Sequence, residues 1–188
     1  MNKGQINLIY FGRITKSKNI NVIIKVLAII IQHSHKAHLD LIGGYADGYK
    51  RELDAVIKKE CLPAGSVEFH GSQSLDYIAD KLRCAHYFLF PSEEIKEGHS
   101  NSLTEAMAYG VVPIVSNAGF SASICGDDRL VVPCISPEEF ARRIIEIENL
   151  GNWESISHFV YNRVVNRYPE VQALDEIKEV IKSLDIQI

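Results

Sequence analysis

The sequence predicts an α/β fold in which a doubly wound parallel sheet is followed by a helical extension. Short apolar runs alternate with segments whose apolar residues recur at about every 3.6 positions, the period of an amphipathic helix. The strand candidates are mostly apolar instead of strictly alternating, which is typical of parallel strands covered by helices on both faces. A chain of 188 residues is long enough to bury such a core as one domain.

The elements follow one another along the whole chain. The six strand candidates are residues 6–11, 38–42, 66–70, 86–90, 111–115 and 130–132. Helices are expected at residues 19–32, 49–60, 74–83, 102–109 and 137–147, and after residue 150 the pattern is helical only, at 153–167 and 170–184. We therefore predict one domain over residues 1–188, with an α/β core over about 1–150 and a helical tail over 151–188.

Composition and charge exclude several classes of protein. The net charge is -4 without a basic run, so a non-specific nucleic-acid footprint is missing. The longest apolar run, residues 22–31, contains Lys25 and is about half the length of a membrane span. No signal peptide is visible, and the four cysteines lack zinc-type spacing, as expected of reduced thiols in a cytoplasmic protein.

Three histidines, His33, His35 and His38, lie close together where the first helix is expected to end. Imidazoles are electrostatically favoured at a helix C-terminus. We therefore interpret the three as a solvated helix end in preference to a metal site.

The most specific segment of the chain is residues 97–105, EGHSNSLTE, which follows a buried-looking strand and leads into a helix. A strand, a loop and a helix in this order place backbone N–H groups and a positive helix end where an anion can bind. The two carboxylates, Glu97 and Glu105, suggest a phosphorylated ligand whose hydroxyls are held by acids. Two alternatives remain open: Ser102 and Glu105 also fit a capping box, and Glu97 also fits a solvated loop acid.

Other strand ends carry basic residues and glycines. The first strand ends at Phe11 and is followed by Arg13 and Lys18, which could offset the charge of a diphosphate. Taken singly, each also fits a surface cation. The second strand ends at Gly43-Gly44, which is neither a dinucleotide-binding fingerprint nor a Walker A loop, and a tight turn accounts for it without a phosphate role.

In their colinear order these motifs resemble the C-terminal, donor-binding domain of a GT-B glycosyltransferase of family 4, also described as glycosyl transferases group 1. The chain reads FGRITKSKNI, VEFHG, FPSEEIKEGHSNSLTEAMAYG and VVPIVS in that order, over roughly residues 6–124. The resemblance implies a retaining glycosyltransferase that uses a nucleotide-diphosphate sugar without a metal cofactor. The NSLTEAMAYG variant is similar to bacterial polysaccharide and lipopolysaccharide transferases.

The resemblance also implies roles for the basic and hydroxyl residues. Arg13 and Lys18 would contact the donor diphosphate and offset the charge that builds up on the leaving group. Backbone amides near Ser100, Asn101 and Ser102 would hold the distal phosphate and the sugar at the helix start.

The remaining implied roles concern the sugar, the ribose and the base. Glu97, the candidate catalytic residue, would face the transferred sugar as a donor-sugar ligand, and Glu105 would take the ribose hydroxyls. The loop over residues 72–74, with Gln73 at its centre, would lie beside the base.

Two departures from the family pattern stand out. His99-Ser100 replaces the usual aromatic-glycine pair after the first Glu and Gly, so a stiffer loop or a different sugar is expected. The family's N-terminal acceptor domain is absent, so this chain alone is expected to be an inactive half that needs this domain in cis or in trans. We expect a fragment of a longer chain in preference to a separate polypeptide.

The resemblance further implies a saccharide or lipid-linked acceptor, polysaccharide or lipopolysaccharide biosynthesis, and a cytoplasmic location, with peripheral attachment to the inner membrane left open. Two other functions remain as alternatives. One is a non-catalytic module that binds a nucleotide sugar, and the other is an isomerase similar to nucleotide-sugar 2-epimerases.

Overall fold

A computed structural model of the chain describes residues 4–33, 35–45, 48–93 and 99–167. They form a six-stranded sheet whose observed pairings are all parallel. The strands are β1 (Gln5–Phe11), β2 (Lys36–Ile42), β3 (Val67–Gly71), β4 (Tyr87–Phe90), β5 (Val112–Ser116) and β6 (Val131–Val132). The helices are α1 (Ile20–Gln32), α2 (Tyr49–Lys59), α3 (Leu75–Leu82), α4 (Asn101–Ala108), α5 (Ser121–Cys125), α6 (Pro137–Leu150) and α7 (Trp153–Arg167).

The strand order is β3-β2-β1-β4-β5-β6, the order of a Rossmann-like sheet. The chain moves outward from β1 through β2 to β3, then returns to pair β4 with the other side of β1. The topological switch point therefore lies between the carboxyl ends of β1 and β4. This arrangement confirms the predicted doubly wound fold and fixes where a ligand is expected.

The core is built around strands β1, β4 and β5, which are almost wholly apolar. All four residues of β4 and all five of β5 are buried, and α1 buries eight of its thirteen residues. Helix α1 packs against α2 and α6, whereas α7 packs against α4 and β5. A central strand that is buried on both faces cannot alternate in polarity, which explains why continuous apolar runs predict β1, β4 and β5.

The predicted helical tail is confirmed as far as Arg167, and the helix expected at 170–184 lies outside the described residues. Helix α7 buries Ile156, Val160 and Val164 against the domain. At its start the indole Nε1 of Trp153 donates a hydrogen bond to the His86 carbonyl at 3.1 Å. Among the described residues no helix is long and apolar enough to cross a bilayer.

The interpretation of the three histidines needs correction at one position. His33 does cap the end of α1, with Nδ1 2.9 Å from the Ile29 carbonyl. His38, however, lies inside β2, where its imidazole is half-buried and 3.5 Å from Asp40. The helix ends at Gln32 and the strand begins at Lys36, so only a short turn separates the two environments.

Candidate functional site

A pocket of about 230 Å³ lies at the switch point, between the carboxyl ends of β1 and β4 and the start of α4. Its lining combines apolar strand residues, two cations and the first residues of a helix: Tyr10, Gly12, Arg13, Lys18, Phe90, His99, Ser100, Asn101 and Ser102. The volume is below the range of about 300–1,000 Å³ that is usual for complete small-molecule sites. The pocket is therefore suited to one charged part of a larger ligand.

The floor of the pocket depends on a close approach between the ends of β1 and β2. The Gly12 amide donates to the Ile42 carbonyl at 3.0 Å, and the Gly43 amide donates to the Gly71 carbonyl at 2.8 Å. A Cβ atom on Gly43 would lie 1.8 Å from the Gly12 carbonyl oxygen, and Gly43 has a φ of +145°. Only glycine fits there, so Gly43 has a steric role in setting the turn that carries Arg13.

Two hydrogen bonds tie the loop after β1 to the loop after β4. The Asn19 side-chain amide donates to the Pro91 carbonyl at 3.0 Å, and the Glu93 amide donates to the Ser17 carbonyl at 3.2 Å. Asn19 adopts a left-handed conformation, with a φ of 50°, at the junction of a 3-10 turn (Lys16–Lys18) and α1. The two walls of the pocket are thus fixed relative to each other.

The two predicted cations reach the pocket in different environments. Lys18 is only 5% exposed, and its ammonium lies 5.3 Å from the centre of the Phe90 ring. Arg13 is exposed, and its carbonyl accepts a hydrogen bond from the buried hydroxyl of Tyr10 at 2.9 Å. Lys18 therefore presents a desolvated charge inside the pocket, while Arg13 offers a guanidinium at its mouth.

The start of α4 forms the opposite wall. Ser100 is the N-cap residue, its side chain makes no cap hydrogen bond, and no acidic residue lies in the first turn. The first N–H groups of a helix have no partner within the helix, and the helix dipole adds positive potential there. This helix end is therefore open to an anion that enters the pocket.

The capping-box interpretation of Ser102 and Glu105 is wrong. Ser102 lies inside α4, and its hydroxyl is 3.2 Å from that of Ser100. Since Ser100 occupies the N-cap, Glu105 lies more than a turn into the helix and cannot bond back to the cap amide.

Glu105 follows Asn101 by four positions, so the two side chains lie on one face of α4. Glu105 does not line the pocket itself but lies one turn beyond it. Its side chain remains accessible to solvent, while partial burial of the carboxyl raises its pKa above the usual value. In the described part of the chain this carboxyl has no hydrogen-bond or ion-pair partner.

The structure brings together five of the eight residues proposed from the sequence: Arg13, Lys18, Ser100, Asn101 and Ser102. Gln73 lies at the same edge of the sheet but after β3, two strands from β1, and its side-chain amide donates to the His70 carbonyl at 2.6 Å. Glu105 lies one turn along α4. Glu97 falls outside the described residues.

Four lining residues are not among the predicted site residues, namely Tyr10, Gly12, Phe90 and His99. Tyr10 and Phe90 are buried strand residues, and their sequence environment is that of any core aromatic. His99 was noted only as a departure from the family pattern. The strand order is what turns the ends of β1 and β4 into pocket walls.

Comparison with known proteins identifies the family. A sequence model of the family described as glycosyl transferases group 1 matches residues 1–163. The chain belongs to this family. A search of curated protein sequences finds no significant match for this group 1 glycosyl transferase.

Solved structures share the fold at low sequence identity. The C-terminal domain of the group 1 glycosyl transferase LpcC from Francisella tularensis is 23% identical, with a TM-score of 0.77, and the match covers 88% of this chain and 87% of that one. The catalytic domain of the cholesterol-α-glucosyltransferase from Helicobacter pylori is 19% identical, with a TM-score of 0.69 and coverages of 86% and 99%. Anabaena HepE in complex with UDP and glucose is 20% identical, with a TM-score of 0.78 and coverages of 96% and 49%.

These findings confirm the predicted relation to group 1 glycosyl transferases, the GT-B-type Rossmann-like fold and the glycosyltransferase class of enzyme. The group 1 chain spans about half the length of the HepE chain. The narrower assignment to glycosyltransferase family 4 stays a prediction.

Proposed function

We propose that this domain binds the nucleotide-diphosphate sugar of a retaining glycosyltransferase, without a metal ion. The observation that carries the proposal is the pocket at the switch point, where Lys18 and Arg13 face the open N-terminus of α4. Both sides of this pocket supply positive potential, and a diphosphate carries the complementary charge. HepE, which shares the fold, has been crystallised with UDP and glucose, and this supports a nucleotide-sugar ligand.

In this proposal the domain stabilises the leaving group. As the bond between the sugar and the distal phosphate breaks, negative charge builds up on the diphosphate. Lys18, which is already desolvated, and Arg13 oppose that charge, so their interaction strengthens in the transition state. The amides at the start of α4 hold the distal phosphate from the other side.

The rest of the donor is assigned to residues around the pocket. Glu105 accepts hydrogen bonds from the ribose hydroxyls, since it lies one turn beyond Asn101 and has an available carboxylate. The base extends along the sheet edge toward Gln73. Glu97 contacts the transferred sugar, and His99-Ser100 shapes the loop that encloses it.

The acceptor side completes the proposal. We infer that an N-terminal acceptor domain, in cis or in trans, closes the cleft over the donor, in line with the half-length match to HepE. The acceptor is a saccharide or lipid-linked saccharide of polysaccharide or lipopolysaccharide biosynthesis, at the cytoplasmic side of the cell. Alone, the chain holds the donor without positioning an acceptor, so it is expected to bind without appreciable transfer.

The direct test is ligand binding in the presence of a chelator. A thermal-shift panel of UDP, GDP, ADP and their sugars, followed by calorimetry in EDTA, should identify at least one ligand that stabilises the chain. At a concentration of 100 times its Kd a ligand should add about 2.7 kcal/mol to the free energy of unfolding. Binding that disappears on addition of EDTA would contradict the metal-free proposal.

Glu105→Gln should separate a ligand role from a structural one. We expect the variant to bind the nucleoside diphosphate more weakly by about 1–3 kcal/mol, because a charge-assisted hydrogen bond becomes a neutral one. Burial raises the pKa of Glu105, so its ionised form opposes folding above that pKa, and the neutral variant should be at least as stable at pH 7. Calorimetry and thermal melts on the same samples measure both quantities.

Two further variants sharpen this test. Glu97→Gln should weaken binding of the nucleotide sugar while leaving the affinity for the free nucleoside diphosphate nearly intact. Glu154→Gln, at an exposed position on α7, is the control for a general loss of negative charge. If Glu105→Gln and Glu154→Gln bind the nucleoside diphosphate with equal affinity, Glu105 does not hold the ribose.

A further inference from the structure

A second group of ligand-type side chains lies in the β2–β3 half of the sheet. His38 and Asp40 alternate along β2, and Glu68 and His70 alternate along β3. Asp40 pairs in register with Glu68. Since side chains of alternate strand residues point to the same face, this register places all four on one face of two neighbouring strands.

Three of the four side chains are close enough to share one ion, and the fourth, that of His70, lies beside Asp40 and Glu68. One ligand atom each of His38, Asp40 and Glu68 lies within 4.8 Å of the others. His38 Nε2 is 3.5 Å from Asp40 Oδ1, and His70 Nε2 is 3.7 Å from Glu68 Oε2. Ligand atoms at about 2.0–2.2 Å from a tetrahedral zinc ion lie roughly 3.3–3.6 Å from one another, so both pairs already approach that spacing.

The second nitrogen of each imidazole has a partner, as in most metal-binding histidines. His38 Nδ1 lies 3.1 Å from the Gly65 carbonyl, which can only accept, so Nδ1 carries the proton and Nε2 faces Asp40. His70 Nδ1 lies 2.8 Å from the hydroxyl of Tyr77 on α3, which leaves its Nε2 directed at Asp40, 2.5 Å away. Both rings thus turn Nε2 toward the same carboxylate.

Asp40 is 8% exposed, and its carboxylate lies among three basic side chains. His38 Nε2 and His70 Nε2 lie 3.5 Å and 2.5 Å from Asp40 Oδ1. The Lys81 ammonium lies 2.8 Å from Asp40 Oδ1. A cation therefore already occupies one position beside the carboxylate.

An open pocket of about 530 Å³ gives access to this cluster. His38, Asp40, Glu68, Tyr77 and Lys81 are among its lining residues, and none of its lining residues lines the pocket at the switch point. A hydrated ion can therefore reach the cluster without passing through the proposed donor site.

We propose that His38, Asp40, Glu68 and His70 bind one divalent transition-metal ion, of which Zn²⁺ is the representative, in competition with the Lys81 ammonium. Two imidazole nitrogens and two carboxylate oxygens favour Zn²⁺ over Mg²⁺ or Ca²⁺, which prefer all-oxygen sites. The ion takes the place of the ammonium beside Asp40. It joins β2 to β3 and has a structural role, separate from donor binding.

The test is calorimetric titration of the chain with ZnCl₂ and with MgCl₂, after removal of metals with EDTA and dialysis. We expect one equivalent of Zn²⁺ to bind and Mg²⁺ not to bind. His38→Gln and Glu68→Gln should each weaken Zn²⁺ binding at least about tenfold. Lys81→Met should bind Zn²⁺ more tightly than the wild type, because the competing ammonium is gone.

His33→Gln is the matched control, since His33 lies at the exposed end of α1 and should leave Zn²⁺ binding unchanged. Glu68 is exposed, so Glu68→Gln remains informative if His38→Gln fails to fold. The proposal is overturned if the wild type does not bind Zn²⁺, or if Glu68→Gln binds it as the wild type does. Failure of Lys81→Met to tighten binding also overturns it.

Discussion

Lys18→Met is expected to weaken nucleoside-diphosphate binding by about 1.5–3 kcal/mol, roughly a ten- to hundredfold rise in Kd. Lys18 is 5% exposed and lines the pocket opposite α4, so its charge acts on the diphosphate with little screening by solvent. Methionine has a similar length and is apolar, so it fills the space beside Phe90. Because the loss of a buried charge can also change stability, thermal melts of the variant accompany the binding measurement, and affinity is taken from folded protein.

Lys16→Met is the matched control for this variant. Lys16 belongs to the same 3-10 turn but points away to an exposed ion pair with Glu52, at 2.8 Å, and does not line the switch-point pocket. At physiological salt its loss should change affinity little. Calorimetry with UDP, or with the best ligand of the panel, compares the two. Equal losses of affinity in the two variants would show that the effect comes from the general loss of positive charge. Unchanged affinity in Lys18→Met would show that the diphosphate does not bind in this pocket.

The sequence predicts the framework from two kinds of strand. Strands β4 and β5 are wholly buried and read as continuous apolar runs, whereas β2 and β3 alternate polar and apolar residues. All six strands are predicted, and their bounds differ from the structure by one or two residues. The sequence does not predict the short elements, including α5 and the 3-10 turn Lys16–Lys18, because a few residues cannot display a helical period.

The pocket at the switch point can be predicted from the sequence to the extent that sheet geometry determines it. The carboxyl ends of parallel strands meet at one edge, so Arg13, Lys18 and the start of α4 converge once the strand order is known. The N-cap of α4 is harder to predict from the sequence. Three successive residues, Ser100, Asn101 and Ser102, are all good N-cap residues, and the sequence favours none of them. In the structure α4 begins at Asn101 with Ser100 as its N-cap, and this excludes the capping box with Glu105.

The cluster around Asp40 could not be found from sequence. Its formation depends on the register that pairs Asp40 with Glu68, on the position of α3 and on the irregularity in the β2–β3 pairing after Leu41. A change of register by one residue would move every side chain of β3 to the other face. Local patterns do not encode that register, so the sequence places His38 at the start of a strand candidate without identifying its neighbours on β3.

Gly43→Ala is expected to cause the largest loss of stability, about 3–5 kcal/mol. Its Cβ atom would lie 1.8 Å from the Gly12 carbonyl oxygen and 2.9 Å from the Gly12 carbonyl carbon, and backbone atoms cannot move aside as a flexible side chain can. The φ of +145° adds strain for any residue with a Cβ. The melting temperature should fall by roughly 10 °C in a domain of this size.

Gly151→Ala supplies the comparison that isolates the clash. Gly151 also has a positive φ, +64°, but a Cβ atom there would meet no atom within 4 Å, so only the conformational cost of about 1 kcal/mol is expected. Denaturant unfolding of both variants measures the difference. Relief of the clash must displace the turn that carries Arg13. The fraction of Gly43→Ala that remains folded should therefore bind the ligand more weakly than the wild type. Equal destabilisation by the two substitutions would show that β1 and β2 do not approach each other so closely at this edge.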